Sequence, residues 1–332
     1  MKKMVNFTLI AAIALCTVLV TSCGKVTEVP GNKHESQRKT IGISFATLNN
    51  PFDKAEKESL LDSAKENHYD VIVTNAKGKP NKQHDNIMQL VSKKIDYLVL
   101  VPTKQISMRP VLTMAMSAKI PVIVINRKVD GTPGVEYTTM ITGNAKWEGA
   151  AAAKWILANT TGVVHVVRLM GSPGASVTIE RTAGFDSVGP KDRIKTVTSI
   201  VCDFSKDEAY KLFKDYLKEH IKTDDKINAI FAQNDAMALG AIKAIEEINE
   251  NNIGVNLKPG KDIIIIGVDG EEAAKKAIEA GTMNATVSSS PKFGPIVFSN
   301  IKKLNHGLKI KPIQTIKGKV YDKTNIENLD AF

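Results

Sequence analysis

Along its length the chain alternates short apolar runs with longer stretches of helical character. The short runs are Ile41–Ala46, Val71–Thr74, Tyr97–Val101, Val122–Ile125, Val163–Leu169, Ile227–Ala232 and Ile263–Val268. Several are apolar throughout, as in Ile263-Ile264-Ile265-Ile266. Strands covered on both faces have that pattern, which belongs to parallel sheets sheathed in helices. Helices are predicted over Pro51–Asn67, Pro80–Lys94, Ser107–Lys119, Trp147–Asn159, Lys206–His220 and Ala236–Asn249. Strand and helix in alternation predict a doubly wound α/β fold. A division near Gly143-Asn144 makes two such lobes. Open parallel sheets bind ligands beyond the carboxyl ends of their strands, so the residues just after each strand are the ones to inspect.

The first residues follow a different pattern. Lys2 and Lys3 precede an apolar run from Phe7 to Val20, interrupted only by Thr8 and Thr17, which ends in Val20-Thr21-Ser22-Cys23. The run is shorter than the ~18 or more apolar residues that read as a membrane span, and it ends at small residues, which favours a cleaved export signal. An apolar residue and two small ones before a cysteine resemble a bacterial lipobox, whose thiol is acylated and becomes the new N-terminus. Residues 1–22 are therefore read as a lipoprotein signal peptide and Cys23 as the lipidation site. Val26–Lys39 is polar, contains Pro30, Gly31 and Asn32 and lacks apolar periodicity, so residues 23–39 read as a flexible tether.

Composition adds little that is specific. About 310 residues remain after the signal, enough for two domains of ~100–200 residues. Removing Lys2 and Lys3 leaves 43 basic against 35 acidic residues, a net of +8. The lysines are spread along predicted helices and loops, without an arginine-rich run or aromatic interleaving, so they read as a solvated surface; no nucleic acid is expected as a partner. Cys16 leaves with the signal and Cys23 is the lipid site, so Cys202 has no partner for an internal disulfide.

The predicted strand ends are polar. Thr47-Leu48-Asn49-Asn50 follows the first, Asn126-Arg127 the fourth, and Asn234-Asp235 and Asp269-Gly270 the last two. A sugar offers hydroxyls that donate and accept, and apolar C–H faces. Enclosing it takes carboxylates and amides as acceptors, arginines as forked donors, and aromatic rings over the C–H faces. Asn50, Asn126, Arg127, Asn234 and Asp269, with Phe52 and Phe204 as rings, supply that mixture. Each also has a plainer explanation. Asn234 could cap a helix, Asp269-Gly270 could be a turn, Arg127 and Arg181 could be surface charges, and Asn49-Asn50-Pro51 starts a helix well.

Signals of catalysis are absent. Gly171-Ser172-Pro173-Gly174 lacks the lysine and hydroxyl residue of a phosphate loop, no histidine pair has metal-ligand spacing, and there is no Gly-x-Ser-x-Gly elbow. No enzyme activity, metal or cofactor is expected.

From Thr40 to the C-terminus the chain resembles the exported sugar-binding proteins of ABC transporters, in the ribose and galactofuranose branch. The resemblance is carried by Ala46-Thr47-Leu48-Asn49-Asn50-Pro51-Phe52, Ile120–Arg127, Gly174-Ala175-Ser176 with Glu180-Arg181 and Gly184-Phe185, and above all Phe231–Ala241 followed by Gly267-Val268-Asp269-Gly270. It implies a type I periplasmic binding protein, two lobes joined by a three-strand hinge: 40–143 plus 290–317, and 144–289 plus 318–332. It further implies that Asn50, Phe52, Arg127, Arg181, Phe204, Asn234 and Asp269 contact ligand. At four contact positions the chain departs from the ribose pattern. Asp53 replaces a second aromatic, Asn126 an aspartate, Val101 an amide and Ser289 a glutamine. Leu257–Ile263, Asn284–Val287, Pro291–Pro295 and the tail around Gly318–Tyr321 lean towards the galactofuranose group. The candidate ligand-binding set is thus Asn50, Phe52, Asp53, Asn126, Arg127, Arg181, Phe204, Asn234, Asp269 and Ser289. The expected partners are a monosaccharide, an ABC permease and, through the lipid, a membrane, for a monomeric protein. Presentation of ligand to a sensor kinase or chemoreceptor is the alternative role.

Overall fold

The computed structural model describes residues 38–189, 192–220, 227–250 and 256–332. The predicted signal, Cys23 and all of the predicted tether except Arg38 and Lys39 lie outside the described residues. Lys39 is already part of the fold: its C=O accepts the Asp70 N–H at 3.0 Å and its ammonium reaches the Asn305 side chain.

The strands assemble into two sheets of six. The first has the order β11 (Ile313–Thr315), β5 (Thr139–Thr142), β4 (Val122–Ile125), β3 (Tyr97–Leu100), β1 (Thr40–Phe45), β2 (Asp70–Asn75). The second has the order β12 (Val320–Asp322), β10 (Ala285–Ser288), β9 (Ile264–Asp269), β8 (Ala229–Ala232), β6 (Val164–Met170), β7 (Ile194–Val201). Every pairing among them is parallel except that of β10 with β12. Each sheet thus repeats one doubly wound order, with its switch point between the first and third strands.

Helices cover both faces of each sheet, as the apolar strands require. On the first sheet, α1 (Pro51–Glu66) and α9 (Gly294–Asn305) bury Leu60, Val297 and Phe298 against Ile43, Val99 and Ile123. On its other face α2 (Pro80–Ser92) and α3 (Arg109–Ser117) bury Ile87 and Leu112 against Leu98 and Val124. On the second sheet, α6 (Lys206–His220), α7 (Asp235–Glu250) and α8 (Glu272–Ala280) pack Phe213, Met237 and Ile278 on Leu169, Ile230 and Ile265. Opposite them α4 (Ala145–Ala158) and α5 (Ser176–Asp186) pack Ile156 and Phe185 on Val166 and Phe231. Each such apolar side chain contributes roughly 1.5–3 kcal/mol when fully buried.

Predicted helix ends shift for local reasons. Pro80–Lys94 stops at Ser92 and Ser107–Lys119 contracts to Arg109–Ser117, because Lys94, Ser107 and Lys119 have φ of 56°, 106° and 59°. The helix predicted from Trp147 begins at Ala145, since Asn144 caps it by accepting the Trp147 N–H at 3.0 Å. The chain passes between the sheets three times: from β5 to α4, from β10 to α9, and from β11 to β12.

α4 and α5 approach each other to backbone contact. A Cβ on Gly149 of α4 would lie 1.9 Å from the Arg181 carbonyl oxygen, and one on Gly184 of α5 would lie 1.9 Å from that of Lys146. Two glycines therefore let the helices touch, and this brings Glu148 beside Arg181.

Candidate functional site

The carboxyl ends of the strands of both sheets meet around a small cavity lined by Asn50, Phe52, Asp53, Asn126, Arg127, Val177, Arg181, Phe204, Asn234 and Asp269. The structure thus brings together every residue of the candidate ligand set but Ser289. Ser289 lies beside Gly143 instead, and its N–H donates to the Asp269 carbonyl at 2.9 Å. Val177, which sequence reasoning passed over, lines the cavity from the first turn of α5.

The first wall belongs to the sheet built around β1. Asn50 caps α1, its Oδ1 accepting the Asp53 N–H at 2.8 Å, and Pro51 takes the first helical position where no N–H is needed. Phe52 is held edge-on to Phe332, centroids 5.6 Å apart. Asp53 is 2% exposed, and its Oδ2 has no hydrogen-bond partner. Burial pushes its pKa to about 6 against the opposing pull of Arg127. One turn further, Glu56 is fully buried, with no donor at hydrogen-bond geometry on either carboxyl oxygen and the Asn126 side chain nearby; burial lifts its pKa well above the ordinary value, and Arg127 and Asn126 oppose the rise. After β4, Asn126 takes a left-handed φ of 62°, fixed by its N–H donating to Ile141 O (2.9 Å) and its carbonyl accepting from Thr142 Oγ1 (2.7 Å). That turn aims Arg127 into the cavity.

The second wall is a buried charge network. Arg181 donates from Nε to Glu148 Oε2 (2.9 Å), from Nη2 to Asp269 Oδ1 (3.3 Å) and from Nη1 to the Gln233 carbonyl. Burial works against its charge, but Glu148 and Asp269 outweigh that and hold it protonated. Asp269 sits at a φ of 130°, a conformation strained for a side-chain-bearing residue. Burial pushes its pKa well up, opposed by Arg181. Behind it Asp235 accepts the Gly270 and Glu271 N–H groups and the Thr286 hydroxyl at 2.7–2.9 Å. Asn234 does cap α7, accepting the Met237 N–H at 3.0 Å, while its Nδ2 donates to Phe204 O at 3.2 Å. The capping and cavity-lining readings of Asn234 therefore both hold. Phe204, at a φ of 59°, presents its ring to the Arg127 guanidinium 5.4 Å away across the cavity.

The two walls also touch around the rim. Lys128 donates its N–H to Ser176 Oγ (2.7 Å) and pairs with Glu180 at 2.5 Å, and the Gln105 N–H donates to Gly174 O (2.9 Å). Cys202 is buried, with its thiol pushed up to about 12 by burial.

A closed polar cavity shared by two doubly wound lobes defines a two-lobed solute receptor. Residues 41–294 match the family described as "Periplasmic binding protein domain", and the chain belongs to it. It is 30% identical over 315 residues to the ribose import binding protein RbsB of Bacillus subtilis, covering 94% of this chain and 96% of that one. It is 28% identical over 266 residues to the galactofuranose-binding protein YtfQ of Escherichia coli, covering 80% and 81%. Among solved structures, the binding component of the arabinose ABC transporter of Shewanella sp. ANA-3, bound to L-arabinofuranose, superposes with a TM-score of 0.80 at 28% identity over 87% of this chain and 94% of that one.

Proposed function

We propose that this protein is an extracytoplasmic, lipid-anchored receptor that captures a monosaccharide between its lobes and delivers it to an ABC permease. The observation that carries the reading is the cavity itself. Three asparagine amides, two guanidinium groups, two carboxylates and two phenylalanine rings converge on one space between the two walls. Similarity to the ribose-, galactofuranose- and arabinofuranose-binding proteins supports a sugar, and the lipobox pattern ending at Cys23 supports the anchor. In this reading the crossings near residues 143, 289 and 317 act as the hinge between 40–143 with 290–317 and 144–289 with 318–332. Sugar bound to one wall recruits the other, and contacts made only in the closed form shift the population. Neutral hydrogen bonds contribute a net of about 0.5–1.5 kcal/mol each and those to charged groups about 1.5–3. Some eight to ten of them, less the closure and ordering costs, reach the ~8 kcal/mol of micromolar binding.

The test is a thermal-shift panel of pentoses, hexoses, furanoses and inositols, followed by calorimetry. A ligand at about a thousand times its Kd stabilises by about 4 kcal/mol. Arg127→Ala and Asp269→Asn are each expected to weaken binding about tenfold or more while the protein stays folded. Unchanged affinity in both removes the site assignment.

A further inference from the structure

Among the described residues, the buried Asp, Glu, Lys and Arg side chains are Asp53, Glu56, Glu148, Asp235, Asp269 and Glu271 with Arg127 and Arg181. Glu271 lies in a separate recess beside Ser205 and Lys206, so around the cavity five carboxyl groups face two guanidiniums. Buried charge is tolerated where it is paired and hydrogen-bonded, and the second wall meets that condition. Glu148 and Asp269 hold Arg181, and Asp235 takes two backbone N–H groups and a hydroxyl. The first wall does not. Asp53 Oδ2 and both oxygens of Glu56 have no donor at hydrogen-bond geometry, with the amides of Asn50 and Asn126 close by, and the nearby cation, Arg127, keeps an unpartnered Nε of its own. Acceptor atoms are therefore in excess on the wall that Asp53 turns towards the ligand. They are not arranged as a metal cage: among the described residues no group of three or more His, Cys, Asp or Glu is placed to hold an ion.

We propose that the captured ligand carries a protonated amine, as an amino sugar or amino polyol does, with the ammonium seated on Asp53 and Glu56 acting behind it as a positioning residue. This rests on the reading of the cavity as a sugar site and narrows its substrate class. A sugar hydroxyl brings one donor and no charge, whereas an ammonium brings three donors and a positive charge to the unpartnered oxygens. Arg127 and Phe204 then serve the ring oxygens and the C–H face. Burial raises the Glu56 pKa well above its ordinary value, with the neighbouring Asp53 adding to the rise and Arg127 opposing it. The groups facing that carboxylate are Glu56 on its own helix, Arg127 after β4, and Arg181 with Asp269 across the cavity. Below a pH of about 6, Asp53 takes a proton and the preference for a cation fades.

The experiment is calorimetry on the full chain at pH 7 with matched probes: D-glucose, D-galactose and D-mannose, their 2-amino forms, and their N-acetylated 2-amino forms. D-ribose, L-arabinose and myo-inositol serve as neutral references. The expected result is an amino sugar that binds about tenfold or more tighter than both its hydroxyl parent and its uncharged acetylated form. Asp53→Asn is expected to reduce that ratio to about one while the neutral parent still binds, with the melting temperature of each variant confirming the fold. Glu56→Gln is expected to move the pH at which the preference fades, a readout that simple loss of packing would not change. Neutral sugars binding as tightly as any amine, or an amine preference that survives Asp53→Asn, overturns the inference. If only the neutral references bind, sugar capture stands and the cationic ligand falls. If no probe binds, the sugar reading falls and the inference with it.

Discussion

Replacing Arg181 with methionine tests the network behind the cavity most directly. The substitution keeps an apolar stem between α4 and α5 but leaves Glu148 (2% exposed) and Asp269 (5% exposed) without their shared cation. Removing one partner of a buried ion pair costs roughly 3–5 kcal/mol, because the remaining charge is uncompensated. That is a large part of the roughly 5–15 kcal/mol that holds a typical protein folded. The sign of the pH dependence follows from the same contacts. Without Arg181 the folded-state pKa of Asp269, already raised by burial, rises further above its unfolded value, so the folded variant holds a proton that the unfolded chain has lost. Its stability therefore falls as pH rises, and its deficit against the wild type is larger at pH 7.5 than at pH 5.5. Urea unfolding at both pH values measures this. Combining Arg181→Met with Glu148→Met removes one stranded carboxylate and is expected to recover part of the loss. A deficit under about 1 kcal/mol at pH 7.5, or one independent of pH, refutes the argument that Arg181 is held by charge compensation.

Two further outcomes are expected from the same walls. A Cβ on Gly171 would lie 1.9 Å from Phe204 Cζ, so Gly171→Ala has to displace the ring; it is expected to cost about 1–3 kcal/mol of stability and to weaken sugar binding about tenfold in calorimetry, and unaltered affinity counts against Phe204 as a cavity wall. Asp53 and Asp235, each raised to about 6, and Glu271, raised to about 8, all hold protons in the folded state at pH values where the unfolded chain has released them. Unliganded stability is therefore greatest at low pH within this range, falls as pH rises from about 4 through about 6 for the two aspartates, and falls further up to about 8 for Glu271, at about 3 kcal/mol for each two-unit shift; a flat profile of chemical unfolding between pH 5 and 8.5 contradicts it.

The central strands and the capped helices were legible because local pattern decides them. Val122–Ile125 and Lys206–His220 coincide with β4 and α6 residue for residue. Edge and closing elements were not. β7 reads Ile-Lys-Thr-Val-Thr-Ser-Ile-Val and is half exposed, so its pattern lacks an apolar run. β5 and β10 are four-residue strands containing threonine or serine, stabilised by the neighbours on which they pack. α5 and α9 carry glycine at backbone contacts, with α4 and α1 respectively, which weakens a helical signal that tertiary packing restores. The cavity-lining residues were findable because strand ends of a doubly wound sheet converge. Glu56, Glu148 and Gln233 were not singled out, for the opposite reason. Their roles come from partners such as Arg181, 33 residues from Glu148 in sequence, and no local spacing encodes such a pairing. Ser289 kept its place near a crossing but lies outside the lining.

The late return of the chain to both sheets has a consequence for biogenesis. α9 and β11 reach the first sheet only after the second has been almost entirely synthesised, and β12 then caps the second with its one antiparallel neighbour. Neither half can seal its own edge from a nascent fragment, so maturation has to wait for the final stretch of polypeptide. Long-range closure of this kind slows folding.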